Sequence, residues 1–217
     1  MMTMFVRIMV GWCMTGWVAG FLCAQTVIEG TVALPKPAPP TPKPPRYQGL
    51  VGEIAPPDPA VAVVYLEGRF PAATNVLPAM ELWQKGLQFR PGVLPIQVGT
   101  KVKFPNGDDL YHNVFSYSKA KRFDLGRYRK DEEAAVQVFD KPGVIKLYCE
   151  IHEHMRGTIL VLDTPYFVRT DTNGIYRLEN LPAGQYTLKV WVDDKTTREK
   201  PVTLGFNQTL RVDFSAR

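Results

Sequence analysis

The sequence predicts an all-β chain, an antiparallel sandwich followed by a smaller C-terminal β-sandwich module. From Ala60 onward, short runs rich in β-branched and aromatic residues alternate with Gly, Pro, Asn and Asp, the rhythm of strands and turns. Asp171-Thr172-Asn173-Gly174 and Leu181-Pro182-Ala183-Gly184 are turn signals of the kind that join neighbouring strands. In Val144 to Cys149, period-2 alternation puts Ile145, Leu147 and Cys149 on one face and Lys146 on the other, so the cysteine is expected to point inward.

Taken in chain order, residues 1–24 stand apart. Arg7 is their only charge and Ile8 to Ala24 is a mostly apolar run. This reads as a secretory signal peptide cleaved before Gln25, which implies export to a periplasmic or similar compartment and no membrane span afterwards. The alternative is a retained N-terminal anchor, since 17 residues lie at the lower limit for crossing a bilayer. Residues 25–59 hold a strand-like segment, Val27 to Leu34, and a Pro-rich stretch, Pro35 to Pro45, that reads as a stiff extended linker.

Residues 60–163 form the main sandwich, with strands expected at Val61–Glu67, Lys101–Phe104, Asn113–Tyr117, Ala134–Phe139, Val144–Cys149 and Thr158–Leu162. Pro78 to Phe89 is read as one or two helical turns. The run Lys119 to Lys130, with six basic residues against Asp124 alone, is read as a solvated loop, with steering of an acidic partner as the alternative. Residues 164–217 form the second module, with strands at Ile175–Leu178, Tyr186–Val192, Val202–Leu204 and Thr209–Phe214.

Composition bounds the function. The chain has 217 residues, 45% of them apolar, enough to bury a core. A formal charge of +5 is too small an excess to argue for nucleic acid. Removing residues 1–24 takes away Cys13 and Cys23 and leaves Cys149 alone, so the mature chain has no internal disulfide. A lone thiol in an oxidising compartment needs burial or a ligand role.

All three histidines, His112, His152 and His154, fall in the same segment as that cysteine. Cys149, His152 and Met155 follow a C-x2-H-x2-M spacing at the end of one strand, and His112 begins another. A thiolate and two imidazoles with a weak thioether suit copper in both of its oxidation states. The spacing C-x2-H-x-H leaves a second option, zinc held by Cys149, His112, His152 and His154. In an extended loop His154 would point away from His152, to the surface.

Three phrases carry a family resemblance: Tyr111-His112-Asn113-Val114; Pro142-Gly143-Val144; and Cys149-x-x-His152-x-x-Met155-Arg156-Gly157 followed by an apolar strand. Over about residues 87–163 the chain resembles the cupredoxins, the blue copper proteins, and among them the amicyanin type. The resemblance implies a Greek-key sandwich with one type 1 copper per chain. His112, Cys149 and His152 would be strong ligands and Met155 the axial one, with Asn113 tying the two ligand loops together. His154 and Glu153 depart from the family, which carries an aromatic residue and a proline there. The chain is also similar, from Val64 through Val192, to exported cupredoxins of the methylamine-utilisation type. The second module resembles carboxypeptidase-regulatory or transthyretin-like domains through Thr170-Asp171-x-x-Gly174-x-Tyr176 and Leu181-Pro182-Ala183-Gly184-x-Tyr186, with Val27 to Leu34 as its candidate first strand. That would make the copper sandwich an insertion.

The expected function is therefore single-electron transfer, not catalysis, between periplasmic partners such as a dehydrogenase or a c-type cytochrome. Tyr148 and the edge of His152 are the candidate exits for the electron. The alternatives are copper binding or delivery, a structural β-protein, or a zinc-dependent hydrolase using Glu150 or Glu153 as base.

Overall fold

The computed structural model describes residues 25–36, 54–70 and 76–215. The expected signal peptide and most of the Pro-rich linker lie outside the described residues. The described chain is all-β, and none of its segments is a helix long and apolar enough to cross a membrane. Its strands are β1 (Val27–Thr31), β2 (Val63–Glu67), β3 (Met80–Glu81), β4 (Trp83–Gln84), β5 (Phe89–Arg90), β6 (Val93–Gln97), β7 (Lys101–Lys103), β8 (His112–Ser118) and β9 (Lys121–Tyr128). There follow β10 (Val136–Val138), β11 (Gly143–Tyr148), β12 (Arg156–Leu162), β13 (Phe167–Arg169), β14 (Ile175–Leu178), β15 (Gly184–Asp193), β16 (Thr196–Leu204) and β17 (Thr209–Arg211).

Two sandwiches result. In the first, a five-stranded sheet of order β6-β12-β11-β8-β9 shares a core with the smaller sheets β10-β7-β3 and β4-β5. Leu94, Ile96 and Ile159 meet Val102, Phe104 and Phe139 there. In the second, β13-β2-β15-β16 packs on β14-β1-β17 around Ile28, Val64, Leu66, Leu188 and Val190. The first strand thus belongs to the second sandwich: β1 pairs antiparallel with β14 and parallel with β17.

A third core joins the two. Val63, Leu160, Leu162 and Trp191 are buried together, with Tyr65, Val93, Val144 and Phe167 packed around them. This explains three continuous apolar runs in a chain whose strands otherwise alternate. In Ile159–Leu162, Ile159 and Val161 face the first core while Leu160 and Leu162 face the junction. Val63 and Tyr65 face the junction while Val64 and Leu66 face the second core, and Trp191 is flanked in the same way by Val190 and Val192. A strand covered on both faces has no polar side.

Four expectations are corrected. Residues 80–90 hold no helical turn: β4 and β5 form a hairpin, Trp83 opposite Arg90, and Gly86 and Leu87 turn the chain at φ of 65° and 58°, values no right-handed helix tolerates. Most of the basic run is strand β9: Phe123 and Leu125 alternate onto the core beneath its charges, and Tyr128, one residue out of step, is buried at the strand's end. Strand β2 lies in the four-stranded sheet between β13 and β15, so by pairing the first sandwich begins after Glu67, not at residue 60. Strands β6 and β13, absent from the sequence reading, edge the two sheets on either side of the junction. The turn at Asp171–Gly174 does require its glycine. Gly174 has φ +80°, and a Cβ there would lie 2.0 Å from the Val32 carbonyl oxygen.

Candidate metal centre

His112 opens β8, Cys149 follows the last residue of β11, and His152 lies in the turn leading to β12. Because β11 pairs with both β8 and β12, the sheet itself brings the His112 and Cys149–His152 segments side by side. The Met155 N–H donates to the His152 carbonyl at 2.8 Å, which closes the turn and returns the chain to the sheet. All four side chains are buried.

Among the described residues one group of His, Cys, Asp and Glu side chains could hold a metal ion: His112, Cys149 and His152, whose donor atoms all lie within 4.8 Å of one another. The two Nδ1 atoms face each other at 3.0 Å, and Cys149 Sγ lies 3.8 Å from His152 Nδ1. Bonds of roughly 2.0 Å to nitrogen and 2.3 Å to sulfur fit one ion between three atoms so spaced. Met155 is fully buried in the same core as Cys149.

Asp108 orients His112. Its carboxylate contacts His112 Nε2 at 2.9 Å and accepts the N–H groups of Gly86 at 2.8 Å and Leu87 at 2.9 Å. Burial alone would raise this carboxyl, but the two backbone donors and the imidazole hold it below the usual carboxylate range. A carboxylate accepts only, so the His112 proton sits on Nε2 and the Nδ1 lone pair faces His152. Burial pushes His112 down, against the pull of Asp108. Burial, then the neighbouring His112 and His154, push His152 down to about 4. Neutral rings are what a metal site needs.

Asn113 links the His112 strand to the Cys149 loop. Its Oδ1 accepts the Glu150 N–H at 3.3 Å, and its Nδ2 donates to Asp124 at 2.7 Å and to the Gly126 carbonyl at 3.2 Å. His154 is half-buried rather than at the surface. Its Nε2 bonds the Leu87 carbonyl at 3.1 Å, and it is not in the donor group. Leu87 therefore serves both histidine segments, its N–H through Asp108 and its carbonyl through His154.

Sequence reasoning missed Asp108 and Leu87. Asp108 stands four residues before His112, but in a loop that spacing fixes no geometry. The clamp is Asn106, whose side chain bonds the Asp108 N–H and the carbonyls of Leu110 and Tyr128. Asn-Gly-Asp-Asp reads only as a turn. The basic run is largely neutralised from outside itself: Lys121 pairs with Asp140, Arg127 with Glu150 and Lys130 with Asp109.

The lowered histidines have a consequence for the metal-free chain. Between pH 6.5 and about 4 the unfolded His152 binds a proton that the folded one refuses. Its contribution to stability is therefore complete above pH 6.5 and is lost as pH falls toward 4, by on the order of 2–3 kcal/mol. Urea unfolding of the metal-free chain at pH 7 and pH 4.5 is expected to show this loss, and His152→Ala to reduce it. An equal loss in His152→Ala would contradict the assignment.

Comparison with known proteins adds the following. The carboxypeptidase regulatory-like domain model matches residues 156–217, which begins within β12. No curated protein matches the chain. Similar solved structures include a Cu-containing nitrite reductase from Thermus scotoductus SA-01, at 28% identity and TM-score 0.38 over 45% of this chain and 26% of that one. A copper(I) amicyanin variant is similar at 21% identity and TM-score 0.36 over 46% of this chain and 98% of that one. A purple cupredoxin from Nitrosopumilus maritimus is similar at 25% identity and TM-score 0.34 over 38% of this chain and 99% of that one.

Proposed function

We propose that the chain is an exported blue copper protein that passes single electrons between periplasmic redox partners, a dehydrogenase or a c-type cytochrome, through one type 1 copper. The observation that carries this reading is the buried group of two imidazole Nδ1 atoms and one thiol sulfur within 4.8 Å. Two nitrogens and one sulfur, with a thioether as weak fourth donor, suit both copper oxidation states. Bound copper would supply the one-electron couple. His112, Cys149 and His152 would hold it, with the Met155 thioether as a weak fourth donor.

The chain's own residues do the rest. Asp108 fixes the His112 ring, and Asn113 fixes the Cys149 loop to the His112 strand, so hydrogen bonds outside the donor set hold it in place. Burial keeps water out, which disfavours an open position for substrate. Against zinc with four N/S ligands stands His154, turned to a backbone carbonyl.

Two variants test the ligand set. His152→Ala is expected to open the site and destroy the blue band. His154→Ala is expected to keep it, because His154 lies outside the donor group. Visible absorption of the two copper-loaded variants decides. Loss of the band in His154→Ala with retention in His152→Ala would overturn the assignment.

A further inference from the structure

The outer face of the five-stranded sheet divides in two. Val93, Val144, Leu160 and Leu162 are packed under the second sandwich. The other half, with Phe115, Tyr117, Tyr148 and Arg156, lies beside Cys149 and forms the floor of a groove. A cavity of about 430 Å³ adjoins Cys149 between Tyr148 and Glu153. One of about 360 Å³ lies over Lys146 and Thr158, and one of about 580 Å³ reaches Arg169 and Thr170 at the junction. Arg156 lines all three, so they meet at that side chain. The far wall exists only because the second sandwich is docked.

The chemistry of the groove has a direction. Phe115 lies 5.6 Å from Tyr148 and 5.2 Å from Tyr117, whose ring is 72% exposed, and the Arg156 guanidinium sits 4.6 Å over Tyr148. Other charges along it are matched: Lys146 by Asp194, Glu150 by Arg127, and Asp58 by Arg90. Asp171 is taken up by the N–H groups of its own turn. Among the described residues neither Arg156 nor Arg169 has a carboxylate partner; Arg169 gives one N–H to the Val93 carbonyl. The junction end, where Arg156 and Arg169 line one cavity, is therefore cationic.

We propose that this groove docks an acidic segment of a partner protein, its carboxylates on Arg156 and Arg169 and its chain across the aromatic floor beside Cys149. The proposal rests on the electron-carrier reading for the purpose of docking, not for its chemistry. Two guanidiniums, one from each sandwich, suit carboxylates spaced along an extended chain. The interaction is solvent-facing and weakens with salt.

The test is titration of the full chain, metal-free and copper-loaded, with a dye-labelled octaglutamate peptide at low ionic strength. Arg169→Glu is expected to weaken binding roughly tenfold, with Arg156→Gln weakening it less. Lys103→Glu, exposed on the opposite small sheet, is expected to change it less than about twofold. Amide shifts are expected at Phe115, Tyr148 and Thr170. Binding that survives Arg169→Glu, or that Lys103→Glu weakens equally, would overturn the proposal. So would a single-stranded oligonucleotide that fills the groove more tightly than the peptide. Arg169 touches none of the proposed ligands, so its variant is expected to keep the blue band. A chain without that band that still binds the peptide at Arg169 would defeat the copper reading and leave the groove standing.

Discussion

Cys149→Ser is expected to abolish the visible absorption of the copper-loaded protein while leaving the fold intact. The sulfur is buried at one corner of the donor group, 3.8 Å from His152 Nδ1. Only a thiolate gives both a strong soft bond and the charge-transfer band, and a serine hydroxyl stays protonated at neutral pH. Serine is close to isosteric with cysteine, and the strands on either side of position 149 are held by the β8 and β12 ladders, so the sandwich has no reason to open. Far-UV circular dichroism of the variant is expected to match the parent as its colour disappears. A variant that keeps the intense band would remove Cys149 from the site.

Trp191→Ala is expected to cost about 3–5 kcal/mol of stability. The indole is 5% exposed and packs with Val63, Leu160 and Leu162, where among the described residues no strand pairing joins the two sandwiches. Lys146 lies 5.6 Å over its ring while pairing with Asp194, so truncation also loosens that clasp. The void opens between two sheets that cannot both collapse into it. Chemical unfolding followed by tryptophan-independent far-UV signal gives the value. A change below about 1 kcal/mol would mean that the junction contributes little and that the two sandwiches are independent bodies.

How much of this was readable in advance follows from what each residue type can say alone. The all-β class was legible because period-2 runs such as Val144 to Cys149 and turns such as Asp171 to Gly174 carry their own geometry. The junction was not. Ile159 to Leu162 reads as one apolar strand, and nothing in it says that its two faces meet different sandwiches. Strand β9 was hidden by its charges, since Phe123 and Leu125 show their role only once the opposing core is known. At the site, the rarity of Cys and His drew attention to His112, Cys149 and His152, which do come together. Asp108, Gly86 and Leu87 could not be found that way. A loop carboxylate gains its part from backbone N–H groups 22 and 21 residues earlier, and backbone has no sequence signature. His154 was misplaced for the same reason, because its partner is the Leu87 carbonyl.

The buried group at His112, Cys149 and His152 is expected to hold copper in a thiolate-bound, redox-active state. Titration of the purified metal-free protein with Cu(II), followed by visible absorption and by metal analysis after desalting, tests it most directly. One retained copper per chain is expected, with an intense blue or green band that bleaches on reduction and returns on oxidation. A protein that stays colourless while binding zinc in preference, or that retains copper without the band, would contradict it.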